Sequence, residues 1–209
     1  MGQMLRSTRV TAHVSEAVPP DDPLTVEDWV QLPEDVPGEL VNGQLVEEEM
    51  AEFTHEAAAA WVLGVTRNWA VPRDGRVYGS DGKFVLGPGH GRKPDVSIYL
   101  AGRRPARSGP VTKPPDAVVE IVSPRARDAR RDRVEKLAEY ATFGIPHYWI
   151  VDPQLRTLEV FARGADGRYV HALGASSGRV ENVPGCTGLV LDLDDLWAEI
   201  DQLDEAEAP

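Results

Sequence analysis

Four side chains in this sequence have the types and setting for metal-assisted hydrolysis: Glu120, Asp95, Lys136 and Glu39. Glu120 stands at the centre of the run A-V-V-E-I-V-S, residues 117–123, which is otherwise apolar and is bounded by Pro115 and Pro124. Such a short β-branched run reads as a strand buried on both faces. An ionised carboxylate in that position is costly unless a cation or several donors meet it. Asp95 follows Pro94 at the start of a second strand-like run, Val96 to Leu100, and Glu39 sits beside the turn pair Asn42-Gly43. Two or three carboxylates with a lysine can hold a hard divalent cation and activate a water.

The elements that must position these groups can be read in outline. Asn42-Gly43 between E-L-V and Q-L-V predicts a hairpin with a type I′ turn over residues 39–49. Thr25 to Leu32 predicts a short helix capped by Thr25, with Asp28 completing a capping box. His55 opens a helix whose Trp61, Val62, Val65 and Trp69 share one side, which is a core stripe. Residues 76–86 suggest another hairpin, and 87–92 (G-P-G-H-G-R) a mobile loop leading to Asp95. The loop 101–115, rich in Arg, Pro and Gly, could be plain surface or could reach phosphates.

The helix expected over residues 128–143 is the difficult element. At 100° per residue Val134, Leu137, Ala138 and Ala141 form an apolar face, and Asp132, Lys136 and Tyr140 line the opposite side. On that wheel Lys136 is a solvated lysine unless the helix is sandwiched, with one side on the core and the other turned to the carboxylates. Because this helix intervenes, the next strand, 147–153, is expected to run parallel to 117–123, with Tyr148 and Trp149 walling the core. Strands over 158–163 and 169–173 are joined by Gly164-Ala165-Asp166-Gly167, and residues 190–197 close the fold.

Length and composition fit one domain: 209 residues with 42% hydrophobic side chains. Residues 1–23 read as a flexible arm, 24–198 as the domain and 199–209 as an acidic tail. No apolar run is long enough for a membrane span and the start lacks a signal segment, so a cytoplasmic protein is expected. Cys186 is the sole cysteine, which leaves oxygen ligands as the expectation for any metal and a buried, inert role for the thiol. The net charge of −12 argues against nucleic acid, but residues 102–136 carry ten Lys or Arg against five acids. The basic segment is the one that holds Glu120 and Lys136.

In order along the chain, Glu39-Leu40-Val41-Asn42-Gly43, His55, Pro94-Asp95-Val96, Val119 to Pro124, Asp132-x-x-x-Lys136-x-x-x-Tyr140 and Tyr148 to Pro153 resemble the Uma-type (DUF820-like) putative restriction endonuclease family of the PD-(D/E)xK nuclease superfamily. The resemblance covers about residues 24–198. It implies an α+β, restriction-endonuclease-like core, a central mixed sheet flanked by helices with extra hairpins at both ends. It implies a DNA endonuclease using Mg²⁺ or Mn²⁺, with Asp95, Glu120 and the Ile121 carbonyl on the metal, Glu39 completing the acidic set, and His55, Asp132 and Tyr140 as site neighbours. Arg103, Arg104, Arg125, Arg127 and Arg130 would meet phosphates. In the superfamily pattern a lysine stands two residues after the glutamate; here that place is Val122, and the resemblance supplies Lys136 from the next helix. Without that lysine, the expectation is a catalytically inactive nuclease-fold protein that binds or regulates. Edge strands could pair two copies into a homodimer.

Overall fold

The computed structural model describes residues 23–33, 36–46, 52–124 and 130–203. The expected arm before residue 23, the tail end beyond 203, Arg125 and Arg127 lie outside them.

Six strands build the central sheet in the order β10-β9-β8-β7-β6-β3. β7 (Ala117–Ile121) carries Glu120 and lies between β6 (Val96–Tyr99) and β8 (His147–Asp152). β6 and β7 are antiparallel, and β7 and β8 are parallel, as the helix between them requires. β9 (Thr157–Arg163) and β10 (Tyr169–Ala175) form the expected hairpin beyond β8, with Gly167 at φ 81° in its turn. The sheet is mixed and flanked by helices, as the sequence led us to expect.

Strand alternation sends the two faces of the sheet to different partners. Val96, Ile98, Val119, Ile121, Trp149 and Val151 pack beneath α2 (Phe53–Ala70) and α4 (Leu193–Asp201). Trp61 and Trp69 of α2 are partly buried there, and the Trp61 Nε1 donates to Asp195 at 2.9 Å. Cys186 belongs to this cluster; burial, with help from Asp116, pushes its thiol up to about 12, so it is an inert core residue. α4 extends to Asp201, so the first residues of the expected tail are helical. On the opposite face Val118, Val122, Tyr148 and Ile150 meet Tyr140 and Leu137 of α3 (Leu137–Phe143). Glu120 alternates onto this second face.

A smaller four-stranded sheet, β2-β1-β5-β4, stands beside the main one. β1 (Glu39–Val41) and β2 (Gln44–Val46) form the Asn42-Gly43 hairpin, with both turn residues at positive φ (51° and 77°), as a type I′ turn requires. The hairpin expected over 76–86 does not form. β3 (Arg76–Tyr78) pairs with β6, whereas β4 (Phe84–Gly87) turns back into β5 (His90–Arg92), so residues 87–92 are a hairpin rather than a mobile loop. Alternation marks a strand but not its partner, and Val77 finds its burial in the cluster under α2. Among the described residues no helix is long and apolar enough to cross a membrane.

Gly91 of β5 shows how closely the small sheet is packed. It lies against Trp29 of α1 (Val26–Gln31), itself fully buried, and a Cβ at Gly91 would collide with the indole ring at Cζ3 and come within 2.7 Å of Cη2. Gly91→Ala is therefore expected to destabilise by about 1–3 kcal/mol. Thermal unfolding followed by circular dichroism should show a lower Tm, and an unchanged Tm would mean that Trp29 can move.

Candidate active site

Glu120 is 2% exposed, opposite Ile150 in the parallel ladder. Its two oxygens are met separately: Lys136 Nζ donates to Oε2 at 2.9 Å, and the Tyr140 hydroxyl donates to Oε1 at 2.5 Å. Lys136 is 3% exposed and also reaches Asp132 Oδ1 at 3.2 Å and Glu39 Oε1 at 3.9 Å. The lysine is thus enclosed by carboxylates, not solvated.

The helical wheel missed this because the buried side of the helix is its polar side. Residues Arg131–Lys136 form a π-helical segment that continues directly into α3. Asp132, Lys136 and Tyr140 are buried, whereas Val134 is 55% exposed and Ala138 is also on the surface. π segments recur at functional sites, where the extra residue per turn re-aims side chains. Val122, two residues after Glu120, faces the same way but packs into the apolar cluster with Tyr140 and Tyr148. The position that would hold a lysine in the superfamily pattern is filled with core, and the helix delivers the charge instead.

Asp95 lies just before β6 and bridges to β7: its Oδ2 accepts the Ile121 amide at 2.7 Å. His55, in the first turn of α2, brings Nε2 to 3.2 Å from the same oxygen. Glu39, wholly buried on β1, accepts Arg92 Nη1 and the Lys93 amide, each at 2.8 Å. Arg92 is equally buried and forks onto Glu139 through Nε at 2.7 Å and Nη2 at 2.9 Å. Sequence reasoning passed over Arg92, placed in a supposed loop, and Glu139. The one available signal for Glu139 was its position three residues beyond Lys136, on the same side of the helix. Tyr148, read only as core, also donates its hydroxyl to the Asp132 carbonyl at 3.0 Å.

The charges are strongly interdependent. Burial raises the Glu120 carboxyl well above its ordinary range, Lys136 opposes that, and Asp95, Asp132 and Glu39 add to it. Asp132 is raised for the same leading reason. Glu39 goes the other way: burial would raise it, but Lys136 and Arg92 outweigh that and hold it low. Burial would lower Lys136, yet Glu120, Glu39 and Asp132 together raise it. The protonation of each of these groups therefore depends on the others.

The predicted arginines are placed apart. Arg103 pairs with Asp116 and donates to the Pro114 carbonyl at 2.6 Å, and Arg104 reaches Asp74 at 2.6 Å. Both lie at the Ala117 end of β7, away from Asp95 and the Ile121 end. Arg130 is exposed at the start of the π-helical segment, 3.5 Å from Glu135.

The fold defines a class, the mixed α+β proteins with a nuclease-like core. The fold matches the crystal structure of "a putative nuclease belonging to DUF820 from Anabaena variabilis ATCC 29413" with a TM-score of 0.69 and 21% identity, over 85% of this chain and 99% of that one. The chain belongs to the Uma2 family, described as "Putative restriction endonuclease", which matches residues 26–194. No curated protein matches the sequence.

Proposed function

We propose that this protein is a divalent-metal-dependent endonuclease that hydrolyses phosphodiester bonds in DNA. The observation that carries the reading is the buried Lys136 ammonium, 2.9 Å from Glu120 and beside Asp132 and Glu39. The donor set suits Mg²⁺ or Mn²⁺, since it is made of carboxyl and carbonyl oxygens, the ligands that hard divalent cations take. Asp95 and Glu120 would hold the ion, with the Ile121 carbonyl and Glu39 as further oxygen donors. A bound ion there would polarise the phosphoryl group and lower the pKa of an attacking water.

The side chains supply the rest. Lys136 brings a positive charge toward the charge that develops on the scissile phosphate. His55 and the Ile121 amide fix the orientation of Asp95, and Tyr140 fixes that of Glu120. Arg92 keeps Glu39 ionised and in place.

One observation favours a second reading, a nuclease-fold protein that binds without cutting. Both Glu120 oxygens are occupied by protein donors, and among the described residues no three His, Cys, Asp or Glu side chains stand ready to share a metal. Cleavage of supercoiled plasmid and single-stranded DNA with Mg²⁺ or Mn²⁺ separates the two. Nicking by the wild type is expected, with a loss of about 10²-fold or more in Asp95→Ala and Glu120→Ala. Absence of both cleavage and metal binding in the wild type would establish the second reading.

A further inference from the structure

A cleft of about 540 Å³ opens on the same face of the central sheet as Glu120, and no step proposed above uses it. Its floor is formed by Ser97 and Tyr99 of β6, its edge by Tyr78 of β3, and its walls by the segments 79–84 and 105–111. Val96 and Ile98 point to the α2 side, so Ser97 and Tyr99 point to the other. Ser97 is paired with Val118, whose side chain shares the Glu120 face. At ~3.4 Å per residue, Tyr99 stands about 14 Å along the strand direction from Asp95.

Tyr99 is the unusual member. It is 3% exposed, yet its buried hydroxyl has no hydrogen-bond partner among the described residues. Such a group is costly to leave unmet, and in a cleft it marks a place for a polar ligand atom. Tyr78 presents the complementary feature: it is 41% exposed and stands edge-on to Tyr99, with ring centroids 5.7 Å apart at 77°. One ring is therefore open for stacking beside a phenol that lacks a partner. Arg107 and Asp81, both exposed on the walls, add a cation for a phosphate and an acceptor for an exocyclic amine.

We propose that this cleft takes one unstacked nucleobase of the strand whose phosphate lies at Asp95 and Glu120. The base stacks on Tyr78 and, with a small shift of the cleft floor, reaches the buried Tyr99 hydroxyl, while Arg107 meets its phosphate. The inference rests on the nuclease reading and narrows its substrate to a strand with at least one base out of the stack, either single-stranded or locally opened.

The test is binding of a fluorescent single-stranded 12-mer by anisotropy, in EDTA and again with Ca²⁺, alongside a series in which one abasic site is moved along the strand. Tyr78→Ala is expected to weaken binding by about 5- to 150-fold. Tyr99→Phe keeps the ring and the packing and is expected to weaken it about 3- to 10-fold. One abasic position should reproduce the Tyr78→Ala loss in the wild type and add nothing in that variant. Wild-type binding with unchanged affinity in folded Tyr78→Ala and Tyr99→Phe, or an abasic series without a sensitive position, overturns the cleft assignment alone. No binding of any single strand by the wild type overturns the cleft assignment, and the nuclease reading falls with it only if plasmid cleavage and metal binding are absent as well.

Discussion

Lys136→Met should remove activity and, without added metal, cost about 3–5 kcal/mol of stability, because it takes away the ammonium shared by the buried Glu120, Asp132 and Glu39. The methionine matches the lysine stem in volume, so the loss reports charge rather than a cavity. Three acids lose a partner together: Glu120 at 2.9 Å, Asp132 at 3.2 Å and Glu39 at 3.9 Å. The pH dependence follows from the direction of the Glu120 shift. A carboxyl raised above its unfolded value is still protonated in the native state where the unfolded chain has released its proton, so stability falls as pH rises through that window. In Lys136→Met the opposing ammonium is gone and the fall should be steeper. Urea titrations between pH 5 and 8 with 0 and 10 mM Mg²⁺ provide the readout. Metal should restore more stability to the variant than to the wild type. A variant as stable as the wild type at every pH would show that the carboxylates are neutral or solvated and that Lys136 does not hold the site together.

Arg92 should be the second most sensitive position. It is completely buried and divides its donors between Glu139 and Glu39, joining α3 to the small sheet through a planar fork. Arg92→Met is expected to cost about 3–5 kcal/mol. Arg92→Lys keeps the charge but cannot reproduce the fork, and about 1.5–3 kcal/mol should still be lost. Acid sensitivity gives a further readout. Glu39 is held below its ordinary range, so its contribution is present above that range and is lost as pH falls through the depressed value. That acid-side loss should shrink in Arg92→Met, where Glu39 has one cation fewer. Equal stability of Arg92→Lys and wild type would mean that the bidentate geometry contributes nothing.

Much of this arrangement was legible in the sequence. A glutamate inside an apolar strand bounded by prolines identified β7, Asn42-Gly43 identified the β1–β2 hairpin, and the intervening helix made β8 parallel to β7. The side of the helix that carries Lys136 was not legible, since a wheel assumes 100° per residue and assumes that apolar positions are the buried ones. Here Val134 is exposed and Asp132, Lys136 and Tyr140 are inside, because the inside is itself charged. Arg92 was missed for a different reason. Its strand is three residues long with a glycine at the centre, too short for any period, and its partners are 47 and 53 residues away. Counting charge could not show that Arg103 and Arg104 of the 101–115 loop pair with Asp116 and Asp74.

The small sheet supplies Glu39 and Arg92, yet its own apolar cluster is Val26, Trp29 and Leu40 with a few partly buried neighbours. Its ties to the rest of the protein include Phe84, Arg92's bonds to the helix and Glu39 beside Lys136. Regions held by little apolar area open at lower free energy than the strands of a main core. Glu120 and Lys136 are buried, so on the proposed reading an ion or a phosphate meets them only where the surrounding structure opens. The small sheet, which continues through Lys93-Pro94 into β6, is tied to the helix more by charge than by apolar area.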